Sequence, residues 1–305
     1  MISATPFHAN GDLDLASLDR LIEFYLGHGA SGLTILGMMG EAKNLTHEES
    51  SAVVQRTMSR VRGRVPVIVG VSAPDQKAIH SLSVLSMEAG AAGVMVAPTG
   101  PLADDDAVYR YFAEVFATLG PDIPVIVQDY PQSTGVKMSA GVIGRMIDDF
   151  EQFVMFKHED CPGLAKLTEL RKRPGARQVS ILVGNGGLYL PCELRRGADG
   201  AMTGFAFPEM LSKVCALAAE GDYDSAENLF DVYLPLIRYE QQPQFGLAMR
   251  KEVLFRRGAI ASATLRVPMP RLDATDHKEL DGLLLRLRRR LETLPADFPK
   301  LAAAA

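Results

Sequence analysis

Phe153-Val154-Met155-Phe156-Lys157-His158-Glu159-Asp160 is the stretch on which the reading of this chain turns. Four apolar or aromatic residues run straight into a lysine, and polar residues with Cys161-Pro162-Gly163 follow. Such a run reads as a short strand buried on both faces. Burying an ammonium is costly, so a lysine ending such a strand calls for a reason. One reason is chemical. A desolvated lysine loses pKa, and its neutral amine attacks carbonyls to form a Schiff base. The plainer reading stops the strand one residue earlier and lets Lys157 snorkel into water.

Outward from this stretch, strands and helices alternate in both directions. Apolar runs at 2–4, 32–36, 65–70, 93–97, 124–128, 154–157, 180–183 and 200–203 read as strands, and a helical pattern follows each. Thr46-His47-Glu48-Glu49 is a capping box that opens one of these helices. Gly29-Ala30-Ser31-Gly32, Gly90-Ala91-Ala92-Gly93 and Gly197-Ala198-Asp199-Gly200 repeat one device. Each closes a helix on glycine and opens an apolar strand, which is the αβ loop of a repeating βα unit. Eight such units predict an α/β fold, a TIM (β/α)8 barrel over residues 1–206. An open doubly wound sheet is the alternative, but it usually carries a glycine-rich phosphate loop after its first strand, and none is present. Beyond Thr203 the pattern is helical only, at 209–219, 223–238, 245–256 and 276–294. This predicts a C-terminal helical extension, residues 207–305, packed on the barrel. The tail 301–305 is expected to fray.

At 305 residues the chain can bury a large core, and 47% hydrophobic with 23% charged residues is ordinary globular composition. A net charge of -5 argues against a nucleic-acid partner. The basic run Arg286-Leu287-Arg288-Arg289-Arg290 reads as the solvated face of a helix. Cys161, Cys192 and Cys215 are too far apart for a metal or disulfide framework, and the six histidines form no ligand cluster, so no metal is expected. Reduced thiols fit a cytoplasmic protein. No apolar run reaches membrane-spanning length and no signal peptide is recognisable, so no membrane partner is expected.

In a barrel of this kind the chemistry sits at the C-terminal strand ends. Those ends read Gly37-Met38-Met39-Gly40-Glu41, Ala97-Pro98-Thr99-Gly100, Gln128-Asp129-Tyr130-Pro131, Lys157, Gly184-Asn185-Gly186-Gly187 and Thr203-Gly204. Glycine-flanked loops expose N–H groups that can bind a carboxylate, although such glycines often only permit tight turns. A carboxylate held beside an amine nucleophile suits a 2-oxo acid. The substrate-binding candidates are Gly37, Met38, Met39, Gly184, Asn185, Met202 and Thr203.

With these residues in place, the chain resembles the dihydrodipicolinate synthase / N-acetylneuraminate lyase family of class I Schiff-base lyases. The resemblance covers nearly the whole chain. It rests on Thr5-Pro6-Phe7, Gly11, Asp14, Gly37-Met38-Met39-Gly40-Glu41, Leu45-Thr46 with Glu49, Pro131, Thr134-Gly135, the strand ending in Lys157, and Gly200-Ala201-Met202-Thr203-Gly204. It implies a TIM barrel with Lys157 as the Schiff-base lysine, a homo-oligomer (tetramer or dimer), no metal and no organic cofactor. Family members usually carry several more residues before Thr-Pro-Phe, so the first strand is expected to fray or to begin at Met1.

The departures bear on substrate. The family's Tyr-Asn-x-Pro-x-Arg-Thr-Gly reads here Gln128-Asp129-Tyr130-Pro131-Gln132-Ser133-Thr134-Gly135. Its acid–base tyrosine thus falls on Gln128, an amide that cannot exchange protons in the useful range. The synthase's substrate-binding arginine falls on Ser133, and its paired relay threonines on Met38 and Met39. The tyrosine lent by a neighbouring subunit has no counterpart around Thr99-Gly100. Synthase activity proper is therefore not expected. The strand ending Val127-Gln128-Asp129-x-Pro131, the 11–17 segment, Phe156-Lys157-x-Glu159, the 200–204 segment and Leu234-Pro235-Leu236-Ile237 are similar to the branch containing 2-keto-3-deoxy-L-arabonate dehydratase.

The expected activity is a Schiff-base lyase acting on a 2-oxo acid, with dehydration of a 2-keto-3-deoxy sugar acid foremost. Lys157, Gln128 and Tyr130 are the catalytic candidates. The base is open among Lys157 itself, a water, Tyr130, Glu41 and Glu159; for the two glutamates capping or ion pairing is the plainer role. A retro-aldolase running through the same iminium is the nearest rival, and a non-catalytic binding or regulatory barrel is the rival from another class.

Overall fold

The computed structural model describes residues 1–175, 177–266, 271–294 and 298; the tail 301–305 lies outside the described residues. Its strands are β1 (Leu33–Ile35), β2 (Val67–Gly70), β3 (Gly93–Val96), β4 (Val125–Asp129), β5 (Phe153–His158), β6 (Ser180–Val183) and β7 (Gly200–Ala201). All pair in parallel, in sequence order. The helices between and beside them are α1 (Leu15–Gly27), α2 (His47–Val61), α3 (Gln76–Glu88), α4 (Asp105–Leu119), α5 (Pro131–Thr134), α6 (Ala140–Asp149), α7 (Leu164–Arg171) and α8 (Leu190–Arg195). The repeated αβ loops form as expected. Gly29, Gly90 and Gly197 hold φ of 84°, 95° and 95°, a region that disfavours any side chain.

The N-terminal residues close the barrel. Ile2 N donates to Thr203 O at 2.9 Å, Thr34 N donates to Met1 O at 2.8 Å, and Ser3 N donates to Thr34 O at 2.8 Å. Met1 to Ser3 thus lie between the end of β7 and β1. Of the two expectations for this segment, fraying is not met, and pairing does begin at Met1. A closing barrel offers partners on both sides, so even three residues are held. Two strands outrun their expected ends. Gln128 pairs with Lys157 and Asp129 with His158, so β4 and β5 each continue one residue further.

Strand alternation separates two cores. Ile2, Ile68, Met95, Ile126 and Met202, with Met39, Met155 and Leu182 against them, fill the barrel interior. Their sequence neighbours Val67, Val69, Val94, Val96, Val125, Val127, Phe156, Ile181 and Val183 pack outward into the core under the helices. This is the alternation that short parallel strands impose.

Among the described residues four further helices follow: α9 (Pro208–Ala219), α10 (Tyr223–Glu240), α11 (Gly246–Arg256) and α12 (Ala274–Glu292). On α12, Leu280, Leu283, Leu287 and Leu291 form one buried stripe, each worth roughly 2 kcal/mol of burial. Arg286 and Arg288 to Arg290 are exposed on the other side, the solvated face that the basic run predicted. No helix among the described residues is long and apolar enough to cross a membrane. The C-terminus of α10 reaches the strand-end loops, where the Gln241 amide lies against Gly186.

Candidate active site

Lys157 lies on β5 between Gln128 of β4 and Leu182 of β6. It follows Met155 by two residues, so it shares the interior face, and it is 4% exposed. It does not snorkel. Its partner comes from the same strand direction: Nζ stands 2.9 Å from Oε2 of Glu159. That same oxygen accepts a 2.6 Å hydrogen bond from the Gln128 amide. Glu159 is itself buried. Its other oxygen faces the Asn185 N–H at 3.4 Å, and its carbonyl accepts from Asn185 Nδ2 at 2.8 Å. A buried ion pair with further hydrogen bonds on its acceptor is the geometry that offsets desolvation.

Gly184 makes this arrangement possible. A Cβ there would overlap the Glu159 carboxylate. The requirement visible there is space. The sequence nominated Gly184 as a source of backbone donors; in the structure it is the room that Glu159 occupies.

The loop after β1 forms a turn of 3-10 helix at Met38–Gly40. The turn's own bonds use the N–H groups of Gly40 and Glu41, which donate to Gly37 O and Met38 O. Those of Met38 and Met39 stand outside this ladder. The Met39 side chain packs on the barrel interior, and Ser133 Oγ contacts Met38 Sδ at 3.1 Å. Glu41 is committed elsewhere. It is buried, with Lys251 Nζ on Oε1 at 2.5 Å and Arg266 N on Oε2 at 2.8 Å. Of the two glutamates left open as bases, only Glu159 stands beside the lysine.

Tyr130 caps the N-terminus of α5 and is half-buried. Burial first, and then the Glu159 charge, raise its pKa above the ordinary phenol value, with Arg250 opposing. Met202 forms part of the barrel interior, below the mouth. The Thr203 hydroxyl accepts the Gly186 N–H at 2.8 Å and so braces the loop after β6.

Two groups escaped the sequence reading. Arg250 on α11 is 2% exposed and pairs with Glu240. Its signal was available: Leu247, Arg250, Lys251 and Leu254 recur at the spacing of one buried helix face, a place where cations need partners. The second group lies behind the sheet, on the outward side of β5. There His158 Nε2 bonds Gly163 O at 3.0 Å, and Lys166 pairs with Asp129 at 2.9 Å and Asp160 at 2.6 Å. Glu193 of α8 faces this cluster with one carboxylate oxygen unpartnered. Burial pushes its pKa up from 4.5 to about 7; His158 opposes the rise and the Glu159 charge adds to it. Among the described residues no group of three or more acidic, histidine or cysteine side chains is placed to hold a metal ion.

Comparison with known proteins places this geometry. The chain matches the dihydrodipicolinate synthetase family over residues 1–286. It is 35% identical over 295 residues to L-2-keto-3-deoxyarabonate dehydratase of Azospirillum brasilense, covering 95% of this chain and 93% of that protein. It is 34% identical over 228 residues to 4-hydroxy-tetrahydrodipicolinate synthase of Thermus thermophilus, covering 74% of this chain and 75% of that protein. Among solved structures, dihydrodipicolinate synthase from Rhodopseudomonas palustris superposes with a TM-score of 0.91 at 48% identity, over 93% of this chain and 95% of that one. The chain belongs to the dihydrodipicolinate synthetase family and is a class I lyase with that family's barrel.

Proposed function

We propose that this lyase dehydrates a 2-keto-3-deoxy sugar acid through a Schiff base on Lys157, with Glu159 moving the protons. The observation that carries the reading is the shared oxygen: Glu159 Oε2 lies 2.9 Å from Lys157 Nζ and 2.6 Å from the Gln128 amide. Glu159 takes a proton from the Lys157 ammonium, and the free amine adds to the C2 carbonyl. The same carboxyl returns that proton to the carbinolamine hydroxyl, which leaves as water. The iminium now acidifies C3. Glu159 removes a C3 proton, and the C–H electrons pass to the nitrogen as an enamine. The enamine then expels the C4 hydroxyl, which takes a proton from Glu159 or Tyr130 and leaves as water. Hydrolysis of the remaining iminium frees Lys157.

Gln128 holds Glu159 in register with the lysine and turns a neutral amide towards the substrate. The N–H groups of Met38 and Met39 take the carboxylate, and Gly37, Gly184, Asn185, Met202 and Thr203 shape the pocket. The dehydratase of Azospirillum brasilense supports the choice of reaction, being similar over 95% of the chain. Against the synthase reaction of other relatives stand Gln128, Ser133, Met38 and Met39 at positions where the resemblance expects reactive side chains. The helical region 207–305 is read as a unit packed on the barrel, and the protein as a homo-oligomer, tetramer or dimer.

The test is product analysis on a panel of 2-keto-3-deoxy sugar acids. Dehydration releases a single dioxo or unsaturated acid. Release of pyruvate with an aldehyde would replace the reading by its aldolase rival, and turnover of none of them would favour the binding barrel.

A further inference from the structure

The Arg250 guanidinium is buried and only half used. Its Nε donates to Glu240 Oε1 at 2.6 Å and its Nη2 pairs with the same oxygen. Nη1 is buried and has no hydrogen-bond partner among the described residues. A buried donor left unmade costs the full desolvation of the group, so an unpaired guanidinium nitrogen asks for an acceptor from elsewhere.

Its position narrows what that acceptor is. Nη1 occupies the space in which a Cβ on Gly204 would stand. Gly204 follows Met202 by two residues, and Met202 faces the barrel interior. Gly204 stands three residues past β7, at the C-terminal end of the barrel where Lys157 and Glu159 sit, and the Arg250 charge also reaches Tyr130 at that end. Gly204 does for Arg250 what Gly184 does for Glu159: each leaves out a side chain so that a charged group from elsewhere takes its place. Ile2 O borders the same space, and the Met38–Gly40 turn lies beside this segment, with Thr5 Oγ1 donating to Gly40 O at 2.6 Å.

We infer that Arg250 Nη1 binds the C1 carboxylate of the substrate together with the Met38 and Met39 N–H groups, and so selects 2-oxo acids over uncharged 2-oxo compounds. The inference rests on the reading of Lys157 as the Schiff-base lysine. The turn offers only backbone donors, since neither methionine carries a hydroxyl. A carboxylate has about four lone-pair sites, and two N–H groups leave the rest open. The other buried cation of α11, Lys251, is already paired with Glu41 and Thr264 O. Among the described residues of α11, Nη1 is thus the charged donor left available, and a charge-assisted bond is about twice as strong as a neutral one.

Borohydride trapping separates the possibilities, with pyruvate and methyl pyruvate as probes and Lys157 modification read by intact and peptide mass. Arg250→Lys keeps a cation against Glu240 and removes the Nη1 arm. The expected result is a rise of about 10- to 100-fold in the pyruvate concentration needed for half-labelling, with the methyl pyruvate value unchanged. Equal shifts for both probes, or none, would overturn the assignment and leave Arg250 a structural residue. If Arg250→Lys melts early, the neutral pair Arg250→Gln with Glu240→Gln is compared on the same ratio of the two probes. Unaltered protein that gives no pyruvate adduct on Lys157 would overturn the Schiff-base reading and this inference with it. Unaltered protein that labels, beside a variant with an unchanged probe ratio, overturns the Arg250 assignment alone.

Discussion

The Lys157 ammonium and the Glu159 carboxylate meet at 2.9 Å from alternate positions of one strand direction, Lys157 on β5 and Glu159 one residue beyond it. The alternation that points Lys157 inward points Glu159 inward too, while His158 between them turns to the outward layer. A proton acceptor for the lysine is therefore built into the local sequence, Lys-x-Glu at a strand end, and needs no distant loop. Gln128 on the neighbouring strand and Gly184 on the other side complete the setting.

Glu159→Gln keeps the shape and removes the proton carrier. Turnover of the sugar acid should fall by about 100- to 10,000-fold, the usual worth of a general acid–base group. Pyruvate trapping on Lys157 should survive, although more slowly. Single-turnover rates and trapping are measured on the same preparation; a variant within a few-fold of normal turnover would remove Glu159 from the mechanism.

Gln128→Ala deletes one hydrogen bond to the working oxygen. A bond realised fully in the transition state is worth roughly 1–3 kcal/mol, so turnover should drop by about 5- to 150-fold. Trapping with plain pyruvate, which has no hydroxyl beyond C2, should lose much less. Equal losses in both assays would make Gln128 a support for the lysine or the fold, with no separate part in turnover.

Gly184→Ala tests the space argument. The added methyl must displace the Glu159 carboxylate. Activity should fall at least about 100-fold, since one misplaced group near the chemistry is enough for that. A fully active variant would mean that Glu159 moves freely and that its observed position is not needed.

Much of this was legible beforehand because it depends on local pattern. The βα alternation, the three Gly-Ala-x-Gly loops and Lys157 at a strand end are read within a few residues of themselves. The partner of Lys157 was harder. Glu159 was visible as a candidate, but Gln128 at 31 residues and Gly184 at 25 residues away meet it only through β4 and β6. Arg250 was harder still for a further reason. Its place depends on how α11 packs over the barrel mouth, and one charged residue on a helix reads as solvated unless the whole buried face is traced. The N-terminal segment stayed open between fraying and pairing from Met1 because its hydrogen-bond partners, Thr34 and Thr203, are brought together only by closure.

Glu193 gives the protein a pH signature in stability. Burial holds its carboxyl at about 7 against the ordinary 4.5, so the folded state favours the protonated form. Below about pH 4.5 the group is protonated in both folded and unfolded chains and costs nothing. As pH rises towards 7 the unfolded chain sheds the proton first, and folding is progressively penalised. Above about pH 7 both states are ionised and the penalty is complete. A rise from 4.5 to about 7 corresponds to roughly 3 kcal/mol. Glu193→Gln cannot ionise and escapes this loss. Relative to the unaltered protein, it should be near-equal in stability at pH 4 and more stable by up to about 3 kcal/mol at pH 8. Urea unfolding at the two pH values measures the difference directly, with the slope of the transition checked for constancy. A difference that is the same at both pH values would show that the Glu193 carboxyl titrates normally, and that its unpartnered oxygen finds water or a partner in solution.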